Sequence, residues 1–234
     1  MTDIVKAIEK EKEYLAHRMK GEEPFHLVDA VKEFGFETLE QYFAEKRDYE
    51  ISNLYFEVVE TTSAQVISEV YKMMGAQKYA VMFVNTEYTH VWHGSGSDFN
   101  EDYCVENSIP VYPLRASGGT IVCAEGDFSL IICLPESFDM STHFILTKLA
   151  GIFGKYTDGV AVVGNDILRN GQKICGSAVY QQNEMKCFEA HISFNDNAEL
   201  IEIICQKKSG KVPGYIDFMT REELKQEVSK WLNV

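Results

Sequence analysis

Basic residues are scarce in this chain. Lys and Arg number 22 against 36 Asp and Glu, a formal net charge of −14. Nucleic acid and acidic membranes bind proteins through Lys and Arg, so this surface disfavours nonspecific association with either. It leaves open a small anionic ligand held in a local basic pocket. Long apolar runs are also missing: no segment approaches the roughly 18–20 residues of a membrane span. The opening residues MTDIVKAIEKEKEYL contain no signal-peptide core. The six cysteines, Cys104, Cys123, Cys133, Cys175, Cys187 and Cys205, form no CxxC pair, which argues against a structural metal site. The expectation is a cytoplasmic, soluble protein with reduced thiols, Cys123, Cys133 and Cys205 lying buried in apolar strand-like runs. There is no internal repeat and no low-complexity tract.

What is present begins with helices. IVKAIEKEKEYLAHRM repeats apolar residues at helical spacing, and HLVDAVKEFGFETLEQYFAEKRDYE gives two short helices, the second running to about Lys46. His17 and His26 read as surface or capping groups. Residues 1–50 are thus a helical extension, and residues 51–234 the main domain. That domain opens with a strand in SNLYFEVVE, then a helix, SAQVISEVYKMMG, capped by Thr61 or Thr62 and closed at Gly75. KYAVMFVN and THVWHG read as strands, EDYCVENS as a short helix. VYPLRASGGTIVCAEGDFSLIICLP reads as a β-hairpin. STHFILTKLAGIFGKY is an amphipathic helix. Strands follow, with a hairpin turn at Asn170-Gly171. ELIEIIC is a strand or short helix, and Thr220 with Glu223 forms a capping box for the last helix. Strands dominate the middle and helices fall irregularly, which predicts an α+β fold with a mixed, mostly antiparallel sheet and flanking helices.

Two stretches carry candidate chemistry. Gly118-Gly119 permits close backbone approach, and successive amides there can cradle an anion, with Arg115 as a positive fork. A bulge or tight turn is the plainer reading of Ser117-Gly118-Gly119. In GNDILRNGQKICGSA, Lys173 follows the hairpin turn, and the small residues Gly176, Ser177 and Ala178 lie behind it. Such a lysine can reach across a concave surface to a phosphate or carboxylate; on a bare hairpin it is a solvated charge. Asp166 can orient that lysine or help bind a metal on a polyphosphate.

Together, IPVYPLRASGGTIVCAEGD and GNDILRNGQKICGSA resemble the paired motifs of lipoate–protein ligases, in the same order and about fifty residues apart. THVWHGSGSDFNEDYCVENSIPV is similar in spacing to the segment upstream. The resemblance covers roughly residues 55–205 and points to the superfamily of biotin and lipoate protein ligases and octanoyltransferases. It implies a core related to class II tRNA synthetases. It implies attachment of lipoate, octanoate or biotin to a carrier-domain lysine, through an acyl-adenylate made from ATP with Mg²⁺. Arg115, Ser117, Gly118, Gly119, Gly176, Ser177 and Ala178 would then line the acyl and adenylate pocket. Lys173 would be catalytic, contacting the carboxylate and α-phosphate, with Asn165 and Asp166 near the nucleotide and its Mg²⁺. Val91 and Ile121 would line the aliphatic tunnel. The carrier would be a lipoyl domain, such as a glycine-cleavage H-like protein or a 2-oxoacid dehydrogenase E2 domain.

The chain also departs from that pattern. Leu114 stands where a second arginine is usual, Ala124 and Glu125 where histidine and aspartate are, and Gly164 in place of an arginine. His93-Gly94 and Glu189-Ala190 replace a Gly-Arg and a His-Gly feature. Two further readings follow: a lipoyl or octanoyl transferase using Cys175 or Cys187 as nucleophile, or a non-catalytic lipoate- or carrier-binding homologue. Cys175, two positions from Lys173, is expected on the same strand face, and Cys187, after the polar QQNEMK, is expected to be exposed.

Overall fold

The computed structural model describes residues 2–22, 25–94, 99–114, 119–138, 141–205 and 210–234. They group into two compact units, Met1–Leu54 and Tyr55–Leu232. In the first, helices α1 (Ile4–Arg18), α2 (Leu27–Lys32) and α3 (Leu39–Ser52) bury Ala7, Ile8, Val31, Phe36 and Tyr42 between them. Asp3 and Thr38 cap α1 and α3 through their side-chain oxygens. The Tyr42 hydroxyl donates to the buried Glu11 carboxylate at 2.8 Å, and Lys46 neutralises the same group. Helix α3 continues six residues past Lys46, because nothing in Arg47–Ile51 breaks it and Ile51 is fully buried. The strand expected from Ser52 therefore begins at Glu57.

The second unit starts with β1 (Glu57–Thr62), α4 (Val66–Gly75) and β2 (Ala80–Asn85), a parallel strand pair joined through a helix. Thr61 and Thr62 end β1 and do not cap α4, whose N-cap is Gln65. Next come β3 (His90–Gly94), α5 (Glu101–Glu106), β4 (Val111–Leu114), β5 (Thr120–Cys123), β6 (Phe128–Pro135) and α6 (Thr142–Phe153). After them lie β7 (Val160–Val163), β8 (Asp166–Arg169), β9 (Gln172–Gln182), β10 (Met185–Ile192), α7 (Ala198–Ile204), β11 (Val212–Pro213) and α8 (Arg221–Leu232). The large sheet runs β1-β2-β6-β10-β9-β8-β7, with β11 on β9; a smaller sheet runs β4-β3-β5. Apart from β1–β2 and β9–β11 the large sheet is antiparallel, so the predicted α+β class holds. Asn170 and Gly171 have φ of 50° and 82°, as a two-residue hairpin of the primed type requires.

The stretch read as one hairpin is divided between the two sheets. β4 and β5 do not pair with each other: β3 lies between them, parallel to β4 and antiparallel to β5. β6 then leaves for the centre of the large sheet, where both its faces are buried. That two-sided burial explains its uninterrupted apolar run.

The chain crosses from the small sheet to the large one at Asp127, which has no exposed surface. Its carboxylate accepts the backbone N–H of Ala124 at 3.0 Å and of Phe194 at 2.8 Å, and lies 3.4 Å from the Asn197 amide nitrogen. Gly126 makes the corner possible with φ of 87°. Replacing Asp127 with Ala would strand two amide donors away from water. We expect Asp127→Ala to lose on the order of 3 kcal/mol of stability and Asp127→Asn distinctly less, because the amide oxygen still accepts one donor. Urea unfolding of the two variants, followed by far-UV circular dichroism, measures the difference.

Candidate functional site

The alternation of side chains across β9 and β10 sets one face of the large sheet against the small sheet and α4. On this face Gly176, Ala178 and Tyr180 oppose His191, Glu189 and Cys187 in turn. Ser129, Ile131 and Cys133 of β6 continue the rows. Two consecutive small residues on one face leave space that larger side chains would fill. A cavity of about 220 Å³ opens here, walled by Ile67 and Tyr71 of α4, Trp92 of β3, Ile131, Ala178 and Tyr180. Cys187 also contributes to the wall, and Glu189 is the one carboxylate in it among the described residues.

Lys173 stands at the same face for a reason the sequence hides. The β8–β9 register slips by one residue between Ile167 and Leu168, so that Ile167 pairs with Cys175 but Leu168 with Lys173. This bulge re-aims the lysine. Its ammonium comes to lie over Gly176: a Cβ on that glycine would meet Lys173 Cε and Nζ at 2.9 Å. A side chain at 176 would displace the lysine, which gives the glycine its purpose. Asp166 Oδ1 holds Nζ at 2.9 Å, while Oδ2 takes Lys211 Nζ at 2.5 Å. Lys211 also donates to the Val163 carbonyl at 3.0 Å. Ser177, on the opposite face, anchors the preceding turn by bonding the Asn165 carbonyl through both its hydroxyl and its N–H.

Lys173, Asp166, Gly176 and Ala178 are thus brought together at one face, while Ser177 and Asn165 meet each other on the opposite side of the strand. Gly119 is exposed, and a Cβ there would meet nothing within 4 Å, so space does not demand glycine. Arg115, Ser117 and Gly118 lie outside the described residues. Of the expected tunnel residues, Ile121 packs beside the cavity-side core, but Val91 points to the other face of β3, against Cys104, Val122 and Ile204. The cysteine expectations are corrected. Cys175 is buried on the face away from Lys173's ammonium, and burial pushes its thiol up to about 12, with Lys173 only partly offsetting this. Cys187 is buried and bonded to Cys133, which it faces directly across β10 and β6 with the Cα atoms 4.2 Å apart. The expected reduced state does not hold for this pair: the two cysteines are 54 positions apart in sequence, and strand register alone sets them side by side.

Sequence reading missed Lys211. Its only signal is its place just before the two-residue β11, which pairs with Gln172 and Lys173. Also missed was the polar cluster beyond Glu189. His191 Nδ1 lies 3.2 Å from Ser129 Oγ and 3.7 Å from Cys123 Sγ, and Nε2 lies 3.4 Å from Asp127. Burial opposes charge on this imidazole, but the Cys123 sulfur and the Asp127 carboxylate outweigh it and raise its pKa well above the ordinary value. Glu189 moves upward as well: burial dominates, with His191 and a hydrogen bond from Ser129 pulling the other way. Among the described residues no three His, Cys, Asp or Glu side chains are grouped to hold a metal ion, and no helix is long and apolar enough to cross a membrane.

No protein-family model and no curated protein matches the sequence. The fold has clear relatives among solved structures. LipL1 of P. falciparum, in complex with lipoate, matches with a TM-score of 0.62 at 13% identity, over 76% of this chain. The match spans 63% of LipL1, so this chain covers less than two thirds of that protein. A lipoate-protein ligase A bound with ATP matches with a TM-score of 0.59 at 16% identity, over 77% of this chain and 86% of that one. The bi-partite lipoate protein ligase of Thermoplasma acidophilum, studied with its E2 lipoyl domain, matches with a TM-score of 0.60 at 15% identity, over 76% and 85%. The chain therefore has the fold of the lipoate–protein ligases.

A carboxyl whose folded pKa is raised binds its proton more tightly folded than unfolded. Stability then falls as pH rises from the unfolded value of about 4.5 through the folded one. We expect Glu189→Gln to flatten that decline and to melt above the wild type at pH 7–8. Thermal melts from pH 4 to 8 check it; parallel wild-type and variant curves would show that Glu189 does not carry this dependence.

Proposed function

We propose that the main unit attaches a lipoate- or octanoate-type acid to a lysine of a lipoyl domain, by way of an acyl-adenylate made from ATP. The observation that carries this is the placement of Lys173: its ammonium shares the apolar cavity's face, one alternate strand position from the lining residue Ala178. An apolar chain with an anionic head matches an apolar cavity with a cation beside it. Apolar cavities of about 150 Å³ already admit a six-carbon ring, so this one has room for a chain of about eight carbons. The lipoate, ATP and lipoyl-domain partners of the structural neighbours support the same reading, and a cytoplasmic carrier of the H-like or E2 kind belongs to it.

In this scheme Asp166 holds Lys173 in place. The ammonium then faces the carboxylate in the bound acid and the negative charge that grows on the acyl oxygen and α-phosphate as the carrier lysine attacks. A fixed cation aimed at developing charge needs no reorganisation during the reaction. Lys211 shares the Asp166 carboxylate and adds positive charge at the head of the site. With both its oxygens engaged by ammonium groups, Asp166 fits the role of lysine orienter and does not fit that of a ligand to a protein-held Mg²⁺; no step here passes through one. Asn165 sets the turn from which Asp166 projects. Arg115, Ser117 and Gly118 remain assigned to the adenylate by their motif. The burial of Cys175 and the bonding of Cys187 speak against a transferase that uses either as nucleophile.

The test is an acylation assay on a purified lipoyl domain, with ATP and free lipoate or octanoate. We expect ATP-dependent labelling, reduced about a hundredfold or more in Lys173→Ala, and reduced less in Lys211→Ala because Asp166 still holds Lys173. Labelling undiminished in Lys173→Ala overturns the assignment. Saturable binding of octanoate with no labelling of any carrier would favour the non-catalytic reading.

A further inference from the structure

Cys187 forms part of the cavity wall, and its partner Cys133 lies beside it, directly across on β6, with no exposed surface and not among the lining residues. The two strands are hydrogen-bonded neighbours in the middle of the large sheet, and the Cα separation of 4.2 Å is that of a close, non-hydrogen-bonded cross-strand pair. The pair is thus held together by the sheet whether or not the sulfurs are bonded. Of the two cysteines, Cys187 lines the cavity and Cys133 does not. Structural support does not call for a bond here, since the β6–β10 ladder already joins these strands along their whole length.

We propose that Cys133 and Cys187 form a thiol–disulfide exchange centre for the ligand in this cavity, passing electrons between the cysteine pair and the dithiol or ring disulfide of a lipoyl-type chain. This rests on the acyl-binding reading above and extends it: the site acts on the sulfur end of the ligand as well as on its carboxyl end. In the forward direction, one ligand thiol gives up its proton and attacks Cys187 Sγ. The Cys133–Cys187 bond breaks, and Cys133 leaves as a thiolate and takes a proton. The second ligand thiol, deprotonated in turn, attacks the ligand sulfur of the mixed disulfide, closes the ring and expels Cys187, which is protonated. Two electrons and two protons pass from the ligand to the cysteine pair. The ligand dithiol is oxidised to its disulfide, the cysteines are reduced, and the reverse reaction regenerates both. The apolar wall gives this exchange its selectivity, because a chain seated in the cavity presents its sulfurs at high local concentration whereas a hydrophilic dithiol does not.

The experiment uses the full chain. The Cys133–Cys187 bond is first mapped by peptide mass spectrometry without reduction. The oxidised protein is then opened with dihydrolipoate or with dithiothreitol, and free thiols are trapped by alkylation. Each rate is divided by that dithiol's rate on glutathione disulfide. We expect dihydrolipoate to open the bond at least tenfold faster on this scale, and excess octanoate, which has no sulfur, to remove the advantage. In Cys133→Ser, the remaining Cys187 should open the ring of oxidised lipoate and retain it as a mixed disulfide of one added ligand mass; in Cys187→Ser, Cys133 should gain nothing. Absence of the bond in the air-oxidised protein overturns the proposal, and so does an adduct on Cys133 alone. Octanoate binding is measured separately by calorimetry. If octanoate binds but dihydrolipoate shows no advantage, the acyl-binding reading stands and the exchange alone is overturned. If octanoate does not bind, both fall.

Discussion

The arrangement of this site depends on one buried carboxylate. Asp127 sits where the chain leaves the small sheet for the large one, and it ties that corner to the segment following β10 through the Phe194 N–H. It also lies against His191, the residue that closes the inner face of β10. Burying an ion is expensive unless its oxygens are satisfied. Here two amide donors satisfy them, so the favourable geometry is narrow and the two sheets meet in one register. The separation between Trp92 on one sheet and Ala178 and Ile131 on the other, which is the cavity, follows from that joint.

The cavity itself is a consequence of small residues on one face of a strand. Gly176 and Ala178 are spaced two apart, so both face inward, while Ser177 between them faces out and secures the Asn165 turn. The same glycine accommodates the lysine end that the bulge sends across it. Apolar lining, a fixed cation and an oriented carboxylate are thereby assembled within a few residues of β8 and β9. Glu189 is the exception to the apolar lining. Burial raises the pKa of that carboxyl and inclines it toward its neutral form, with His191 and Ser129 pulling the other way.

Some of this was readable from the sequence. The Asn170-Gly171 turn and the Thr220 capping box are local devices: each depends on residues within a few positions, and each is found as written. The expected N-terminal helices are found too, the last of them running on to Ser52. Lys173 and Asp166 were legible as a pair because they flank one hairpin. Other features were not. VYPLRASGGTIVCAEGDFSLIICLP looks like one hairpin, and no local property announces that β3, from earlier in the chain, lies between β4 and β5 while β6 leaves for the large sheet. Val91 has the same composition as a tunnel residue, yet strand alternation turns it to the other face of the small sheet. The expected shared face of Cys175 and Lys173 failed because period-two alternation is broken by a bulge, which needs a partner strand to be defined.

The resemblance to the ligase motifs singled out the lysine, carboxylate and small residues of the candidate site, and the sequence by itself determined the class of fold and the local turns and caps. These follow from periodicity, turn chemistry and short spacing, all of which act over a handful of bonds. The tertiary structure alone decided that Lys211 joins Lys173 on Asp166, that Cys187 in the cavity wall stands face to face with Cys133, and that His191 draws Asp127, Ser129 and Cys123 around it. Each of those joins residues 38 to 68 positions apart, and strand order and register bring them within a few ångströms, a choice made by burial of whole faces and not by any neighbouring residue.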